Sequence, residues 1–466
     1  MSQPDESLVA PTELTAQVTE GRFKRVLGVP SLVLFGLVYM VPLTAFTTYG
    51  IVTQLTGGRV AATYIITLVA MVFTARSYAR MSIAYPYSGS AYVYTQQSFG
   101  GALGFLAGWA LLLDYLFLPM INYLIIGLYM GASFPGVPTW IWIVAAIAIV
   151  TVLNVVGIVS VARANFVVIA VQTVFIVAFV ALSIGAASGQ GVDPLVPFTG
   201  DGTVGSILPL FQGAAILCLS FLGFDSVSTL AEEAKDSRRT VPRAIMIVTI
   251  GAGLLFILLT YLAQIAYPSN AFESADTASI EVVASFGLPW VSTLFIAGFI
   301  AGSIGSALTS QASVARILFA MGRDGVLPRF FARLSRRYRT PIGAAIFVGV
   351  VSLAALFADL NTVASLISFG ALAAFSLVNL SVIKHFLIDE GLRGGAAILR
   401  YGVLPALGFA LTAWLWFSLS PLALTVGLVW IGVGVVWLAV LTRGFRRRPP
   451  EVEFDDEAET PARIPA

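Results

Sequence analysis

The sequence predicts an all-α integral membrane protein of 12 transmembrane helices, arranged as a five-plus-five inverted repeat with discontinuous first and sixth helices. Composition, a recurrent apolar pattern and two matched interruptions carry that prediction. Of 466 residues, 58% are hydrophobic and 11% are charged, whereas a soluble domain carries roughly 25% charged residues. Apolar stretches of about 20 residues, each long enough to cross a bilayer as a helix, recur twelve times. They centre near Tyr39, Val69, Phe117, Ala146, Phe175, Phe221, Phe256, Gly302, Val350, Ala373, Phe409 and Ile431. The alternation of membrane-barrel strands is absent, so the spans are helical.

Basic residues set the orientation. Of 26 Lys and Arg, only Arg59 falls in a loop that this order of spans places outside. Arg76, Arg80, Arg163, the Arg238/Arg239/Arg243 group, the group from Arg316 to Arg339, Arg393, Arg400 and Arg446 to Arg448 fall on the other side. That asymmetry assigns both termini to the cytoplasm. The outer loops carry Asp193, Asp201, Glu273, Asp276, Glu281 and Asp359, either as ordinary solubilising residues or as an acidic mouth that concentrates cations. Residues 1–25 are polar and mixed in charge, so a cytoplasmic tail is expected rather than a cleaved signal peptide. A second charged tail is expected over 444–466. The single Cys218 excludes an internal disulfide and the single His385 a histidine metal cluster. Both read as structural, and no cofactor or metal is expected.

Two of the spans carry breaks. The first includes "GLVYMVPLTAF", in which Pro42 removes a backbone donor. The sixth includes "SFLGFDSVSTLAEEAKDS", in which Gly223 admits unusual dihedrals. Unwound backbone in lipid survives only when buried in protein or lining a cavity. The breaks lie five spans apart, an odd number, so a second group of five enters the membrane from the opposite side. Residues 26–190 then form one repeat, 205–385 its inverted copy, and 400–443 two additional helices. Discontinuous helices at matching positions of inverted repeats point to a transporter with its site near the midplane.

Within the apolar spans only Asp114 and Asp225 are ionisable and far from the ends. A carboxylate at that depth costs several kcal/mol unless protonated, paired or hydrated, which makes it a functional candidate. The bland alternative is a helix-to-helix hydrogen bond. Tyr115 and Phe117 neighbour Asp114, while Tyr39, Phe221 and Phe224 lie at the breaks, where aromatic faces attract ammonium groups. The candidate substrate site therefore comprises Tyr39, Met40, Val41, Pro42 and Thr44, Asp114 and Tyr115, and Ser220, Phe221, Gly223, Phe224 and Asp225. Free carbonyls at unwound half-helices would add to its appetite for a cation. An α-carboxylate would instead need bare N–H groups, best supplied by glycine. The first break reads Val41-Pro42-Leu43-Thr44, which suits a pure amine better. Glu232 and Glu233 follow the second half-helix and read either as a solvated end or as an inner gate pairing with a nearby basic residue.

"FLGFDSVSTLAEEAKDSRRTVPRAI" and "SVARILFAMGRDGVLP" resemble the sixth-span and post-eighth-span signatures of the amino acid–polyamine–organocation transporters. "YPYSGSAYVY", "LLDYLFLPMIN" and "LISFGALAAFSLVNLSV" resemble bacterial putrescine importers, a similarity extending over nearly all of the membrane portion. The resemblance implies a LeuT-like inverted-repeat fold, a small organic cation as partner, no nucleic acid, and uptake driven by an ion gradient, usually protons. It also implies an amine-recognising acid at Asp225 and a tyrosine near the substrate at Tyr115. The chain lacks the glycine-serine-glycine first break of many amino-acid members. Buried carboxylates offer proton carriers, and sodium held by first-span carbonyls and by Ser306, Thr309 and Ser310 is the alternative.

An intramembrane aspartyl protease would also need two membrane carboxylates close enough to share a proton, but twelve spans with paired breaks fit it badly. A channel would call for a symmetric filter motif, which is missing. Within transporters the runner-up is an amino-acid permease or amine-product exchanger. The topology is directly testable: cysteine placed at Ser274 should react with an impermeant reagent from outside, and cysteine at Ser335 should not. The reverse pattern would invert the orientation.

Overall fold

Lipid leaves a spanning chain little besides helix, and helix is what it forms. The computed structural model describes residues 25–446 apart from 88, 157–160, 191–192, 203, 324–326, 336–339 and 445. No strand occurs among the described residues; a single isolated bridge joins Leu27 to Ala234. Among the described residues, eleven helices are long and apolar enough to cross a membrane. In chain order these are Val29–Phe46, Val60–Ala84, Gly101–Ser133, Thr139–Val156, Val168–Ala187, Leu208–Glu233, Ser237–Ala266, Pro289–Phe319, Leu360–Asp389, Gly395–Phe417 and Pro421–Leu441. The expected ninth span is shorter. It comprises eleven α-helical residues, Ile342–Ser352, and a 3-10 turn, Leu353–Leu356, and Asp359 then caps the next helix by accepting from Thr362 N at 2.8 Å. A segment that short meets the bilayer by local thinning or by neighbours that cover its ends. We keep the sequence numbering of the spans, counting Ile342–Leu356 as the ninth.

Burial separates core helices from lipid-facing ones. The most apolar windows of the third and sixth spans are each 89% buried and that of the tenth 72%, whereas those of the fourth, fifth, eleventh and twelfth are 17–22% buried. The outer faces present residues such as Val177, Val429 and Val436, each more than 60% exposed, which only an apolar solvent would tolerate as a continuous surface. The second span packs along the seventh, and the third against the eighth and tenth. A short helix between the second and third spans, Ser90–Phe99, lies against the third and tenth and was not anticipated.

The twelfth span is fixed to the third by a reciprocal pair of indoles. Trp109 Nε1 donates to the carbonyl of Trp430 at 2.9 Å, and Trp430 Nε1 to that of Trp109 at 2.8 Å. The rings stack with centroids 5.0 Å apart. Gly434 makes room, since a Cβ there would sit 2.4 Å from Trp109 Cδ1. Cys218 is buried and bonds back to the carbonyl of Ala214. His385 sits between Tyr85 Oη at 3.0 Å and Glu390 Oε1 at 3.2 Å.

Both expected breaks are present. The first helix stops at Met40, Val41 takes φ 55°, and Pro42–Phe46 continues as a 3-10 helix before Tyr49–Thr56 resumes the α-helix. Positive φ at a β-branched residue is an outlier that its surroundings must impose. The sixth span runs as α-helix over Leu208–Leu217 and 3-10 over Cys218–Phe221, opens at Leu222 and Gly223, and resumes over Ser226–Glu233. That second half is a 3-10 helix, and Ser226, Ser228 and Thr229 bond back to carbonyls three residues earlier at 2.6–2.7 Å. The two breaks touch. Gly223 adopts φ 134°, and a Cβ on it would lie 2.8 Å from Met40 Cγ and 3.1 Å from the carbonyl oxygen of Gly36. Gly223→Ala should therefore destabilise the protein by roughly 2 kcal/mol or more through strain and overlap. Gly251→Ala, where nothing lies within 4 Å of the added carbon, should stay within about 1 kcal/mol of the parent. Melting midpoints in detergent measure both, and equal midpoints for the two variants would show that the breaks do not interlock.

Candidate functional site

The breaks bring together residues far apart in sequence. Asp225 is 3% exposed, at the start of the second half of the sixth span. Its Oδ1 accepts from Gly223 N at 3.1 Å, and the carboxylate also lies beside the amides of Asp225 and Ser226. The unwinding at Gly223 frees the very amides that hold this charge. Asp114 is 2% exposed in the middle of Gly101–Ser133, and its Oδ1 has no hydrogen-bond partner. Asp114 and Asp225 interact electrostatically with each other, and both interact with the hydroxyls of Tyr39 and Tyr115. The Tyr39 hydroxyl is likewise buried without a partner. Two carboxylates and two tyrosines therefore converge where the first, third and sixth spans meet.

The remaining candidates divide between this centre and its walls. Tyr39, Met40, Val41 and Thr44 line a cavity of about 30 Å³, together with Asn122 of the third span and Ser303 and Ser306 of the eighth. That is room for about one water. Pro42 is half-buried at the start of the 3-10 turn. Phe224 faces inward, 5.1 Å from the ring of Phe375 and 5.5 Å from that of Tyr78. Phe221 turns away and packs edge-on against Phe256 at 5.6 Å. Ser220 follows it, exchanging a hydrogen bond with Tyr64 at 2.9 Å. These two belong to the wall that the sixth span shares with the second and seventh. Glu232 and Glu233 are half-buried at the arginine-bearing end of the sixth span. The carbonyl of Glu233 accepts from Val26 N and Leu27 N at 2.9 and 3.0 Å, and Lys235 N returns a bond to the carbonyl of Leu27 at 2.9 Å. This backbone latch ties the start of the first span to the end of the sixth.

The first break offers fewer open groups than its unwinding suggests. The carbonyl of Met40 accepts the Thr44 hydroxyl, and that of Val41 accepts Thr44 N at 2.8 Å. Val41 N is spent on Leu37 at 3.0 Å, and Pro42 has no N–H. On the eighth span, the hydroxyls of Thr309 and Ser310 bond back to Gly305 and Ser306 at 2.9 and 2.6 Å, and Ser306 accepts from Asn122 Nδ2 at 3.1 Å.

Several residues of the site escape sequence reasoning. Tyr78, from the second span, interacts with Asp225, Tyr115, Ser90 and Tyr94. Its ring lies 5.8 Å from Tyr94 and 5.7 Å from Phe375. These rings and Phe224 form a plug between Asp225 and the arginine-bearing side. The only sequence signal was the tyrosine density of "RSYARMSIAYPYSGSAYVY". On the opposite side the loop helix Ala278–Ala284 and the turn Ala275–Thr277 cover the first span so closely that a Cβ on Gly50 would sit 2.3 Å from the carbonyl oxygen of Ala275. Burial, and Asp359 nearby, raise the carboxyl of Asp276 in this cover above the usual carboxylate range. Asp114, Asp225, Tyr39 and Tyr115 are all buried.

The comparisons with known proteins agree with this architecture. The sequence model of the family described as amino acid permease matches residues 31–446. The low-affinity putrescine importer PlaP of Escherichia coli (strain K12) is 38% identical over 458 residues, covering 94% of this chain and 98% of the relative. The branched-chain amino acid permease BcaP of Bacillus subtilis (strain 168) is 25% identical over 91% of this chain and 94% of its own. The methylthioribose transporter of the same organism is 28% identical over 92% of this chain and 94% of its own. With its eleven apolar helices and this match, the chain is a multi-pass membrane protein and a transporter rather than an enzyme: it belongs to the amino acid permease family.

Proposed function

We propose that this chain imports a small organic amine, putrescine or a related polyamine, across the cytoplasmic membrane by alternating access between two inverted five-helix repeats. The observation that carries the reading is Asp225, a buried carboxylate held by the backbone of one broken helix, two residues from the glycine that packs against the break in another. The 38% identity to a putrescine importer over nearly the whole chain supports the same substrate class. Pairing of the second span with the seventh, and of the third with the eighth, fits two repeats related by a two-fold axis. In this reading residues 26–190 and 205–385 are the repeats, 400–443 are accessory, and both tails are cytoplasmic, in keeping with the arginine asymmetry. The aromatic plug of Tyr78, Tyr94, Phe224 and Phe375 bars the inward path, with Glu232 and Glu233 at its mouth.

An amino-acid permease or exchanger is the second reading, favoured by the 25% identity to a branched-chain amino acid permease. Against it, the first break presents no glycine amides to an α-carboxylate, and the N–H groups of Val41 and Thr44 are already used. We take the coupling ion to be the proton, since the buried carboxyls of Asp114 and Asp225 can each hold one. The membrane potential adds about 2.3 kcal/mol per charge per 100 mV to the import of a cation.

Asp225→Asn keeps the volume and removes the charge. Charge-assisted hydrogen bonds contribute about 1.5–3 kcal/mol, so uptake of labelled putrescine into cells should fall about 10- to 100-fold while the purified protein stays monodisperse. Normal uptake by a folded Asp225→Asn protein would remove the site assignment. Competition by spermidine, cadaverine, ornithine and arginine ranks the substrates: inhibition by the α-amino acids alone favours the second reading. In proteoliposomes at clamped voltage, a proton gradient should drive accumulation without sodium; strict sodium dependence would overturn the proton.

A further inference from the structure

Resting on the reading that Asp225 takes an ammonium group, we propose that Asp114 is a second ammonium clamp. The site then holds a short α,ω-diamine by both ends and discriminates against monoamines and α-amino acids. The two carboxylates are not equivalent. Asp225 is already stabilised by the amides of its own break. Asp114 sits on a continuous helix, whose amides are spent on the helix itself, and its Oδ1 is buried with no donor. A buried carboxylate oxygen without a donor is costly, so Asp114 either holds a proton or meets a donor from outside the chain, and an ammonium end that displaces the proton is such a donor.

The tenth span packs directly on the backbone of the third at Asp114. Gly370 of the tenth span approaches so closely that a Cβ on it would lie 2.5 Å from the carbonyl oxygen of Ala110 and 3.1 Å from Asp114 N. Glycine there lets the two backbones touch without inserting a side chain beside the carboxylate. Tyr39 and Tyr115 both interact with both carboxylates, so each ring lies within electrostatic reach of the two charges. The aliphatic linker of a diamine suits such aromatic neighbours, and its ammonium ends suit the carboxylates.

Charge balance supplies the selectivity. Two buried carboxylates that feel each other's charge repel, and a dication neutralises both. A monoamine leaves Asp114 charged and unpaired, while an α-amino acid adds a third carboxylate. Leaving a buried charge without its partner is penalised far more than losing a solvent-exposed pair.

Titration calorimetry on the full-length protein in lipid nanodiscs tests this, with putrescine and 1-aminobutane as probes. The parent should prefer putrescine by at least about tenfold, equivalent to about 1.4 kcal/mol. Asp114→Asn should weaken putrescine at least about tenfold while leaving 1-aminobutane unchanged or tighter, so that the preference collapses. Asp114→Glu keeps the charge and reaches one methylene further, so it should retain a diamine preference and shift it towards 1,3-diaminopropane. If Asp114 carries only a proton or a packing role, Asp114→Asn leaves the ratio of the two affinities at the parental value, and that result overturns the clamp alone. If Asp114→Asn does not fold, the Asp114→Glu chain-length shift decides, and its absence overturns the clamp. A parent that binds neither amine overturns the clamp and the amine reading together, whereas loss of both amines in Asp225→Asn leaves the amine reading standing.

Discussion

The structure depends on one constraint: backbone that leaves the helix inside a membrane must find its hydrogen bonds and its shielding in another part of the same chain. The chain meets this by setting its two broken spans against each other. Gly223 faces Met40 and the carbonyl of Gly36, while a Cβ on Gly36 would meet Val227 and Val248 at 3.0 Å. Hydroxyls then take up the groups that helix would have satisfied, Thr44 at the first break and Ser226, Ser228 and Thr229 at the second. The buried carboxylate at the second break is part of this solution, since Asp225 accepts an amide that the unwinding left free.

Burial of the third, sixth and tenth spans follows from the same constraint. The third and tenth spans pack around the unwound segments of the first and sixth, so they are covered on nearly every side and densely packed. The fourth, fifth, eleventh and twelfth spans, with 17–22% of their windows buried, separate that core from lipid. Glycines set the closest approaches in the interior: Gly370 against the third span, Gly427 against Phe369, and Gly434 against Trp109. Small residues at such contacts let helices approach where the hydrophobic effect gives no drive to associate.

How much of this was legible depended on how local the signal was. The helical membrane architecture, the two breaks and the two membrane carboxylates were readable because hydropathy, proline, glycine and charge act through the residue itself, whereas the expected ninth of twelve spans is a short apolar helix, Ile342–Leu356. The convergence of Asp114 and Asp225 was not readable, because it arises from spans that meet only after folding. Nor was the divergence of Phe221 and Phe224, three residues apart in a segment whose 3-10 and extended geometry obeys no single periodicity. Tyr78 and Phe375 looked like packing on regular helices. The helix Ser90–Phe99 carries too much polarity for a span and too little periodicity for a surface helix. The π-helical stretches Ile383–Asp389 and Ile398–Val403 widen helix ends for packing reasons that no composition reports.

The backbone latch between residues 26–27 and 233–235 has a mechanical consequence. Its three hydrogen bonds, at about 1 kcal/mol each, splice the beginning of the first span to the finish of the sixth. The two half-helices on that face are thereby geared together. A displacement of one drags the other, so under the proposed alternating access that face would open as a hinged pair of levers instead of as two independent doors. The chain preceding Val26 is attached to that lever, and anything pulling on the amino-terminal tail acts with a lever arm on the carboxylate eight residues upstream of Glu233.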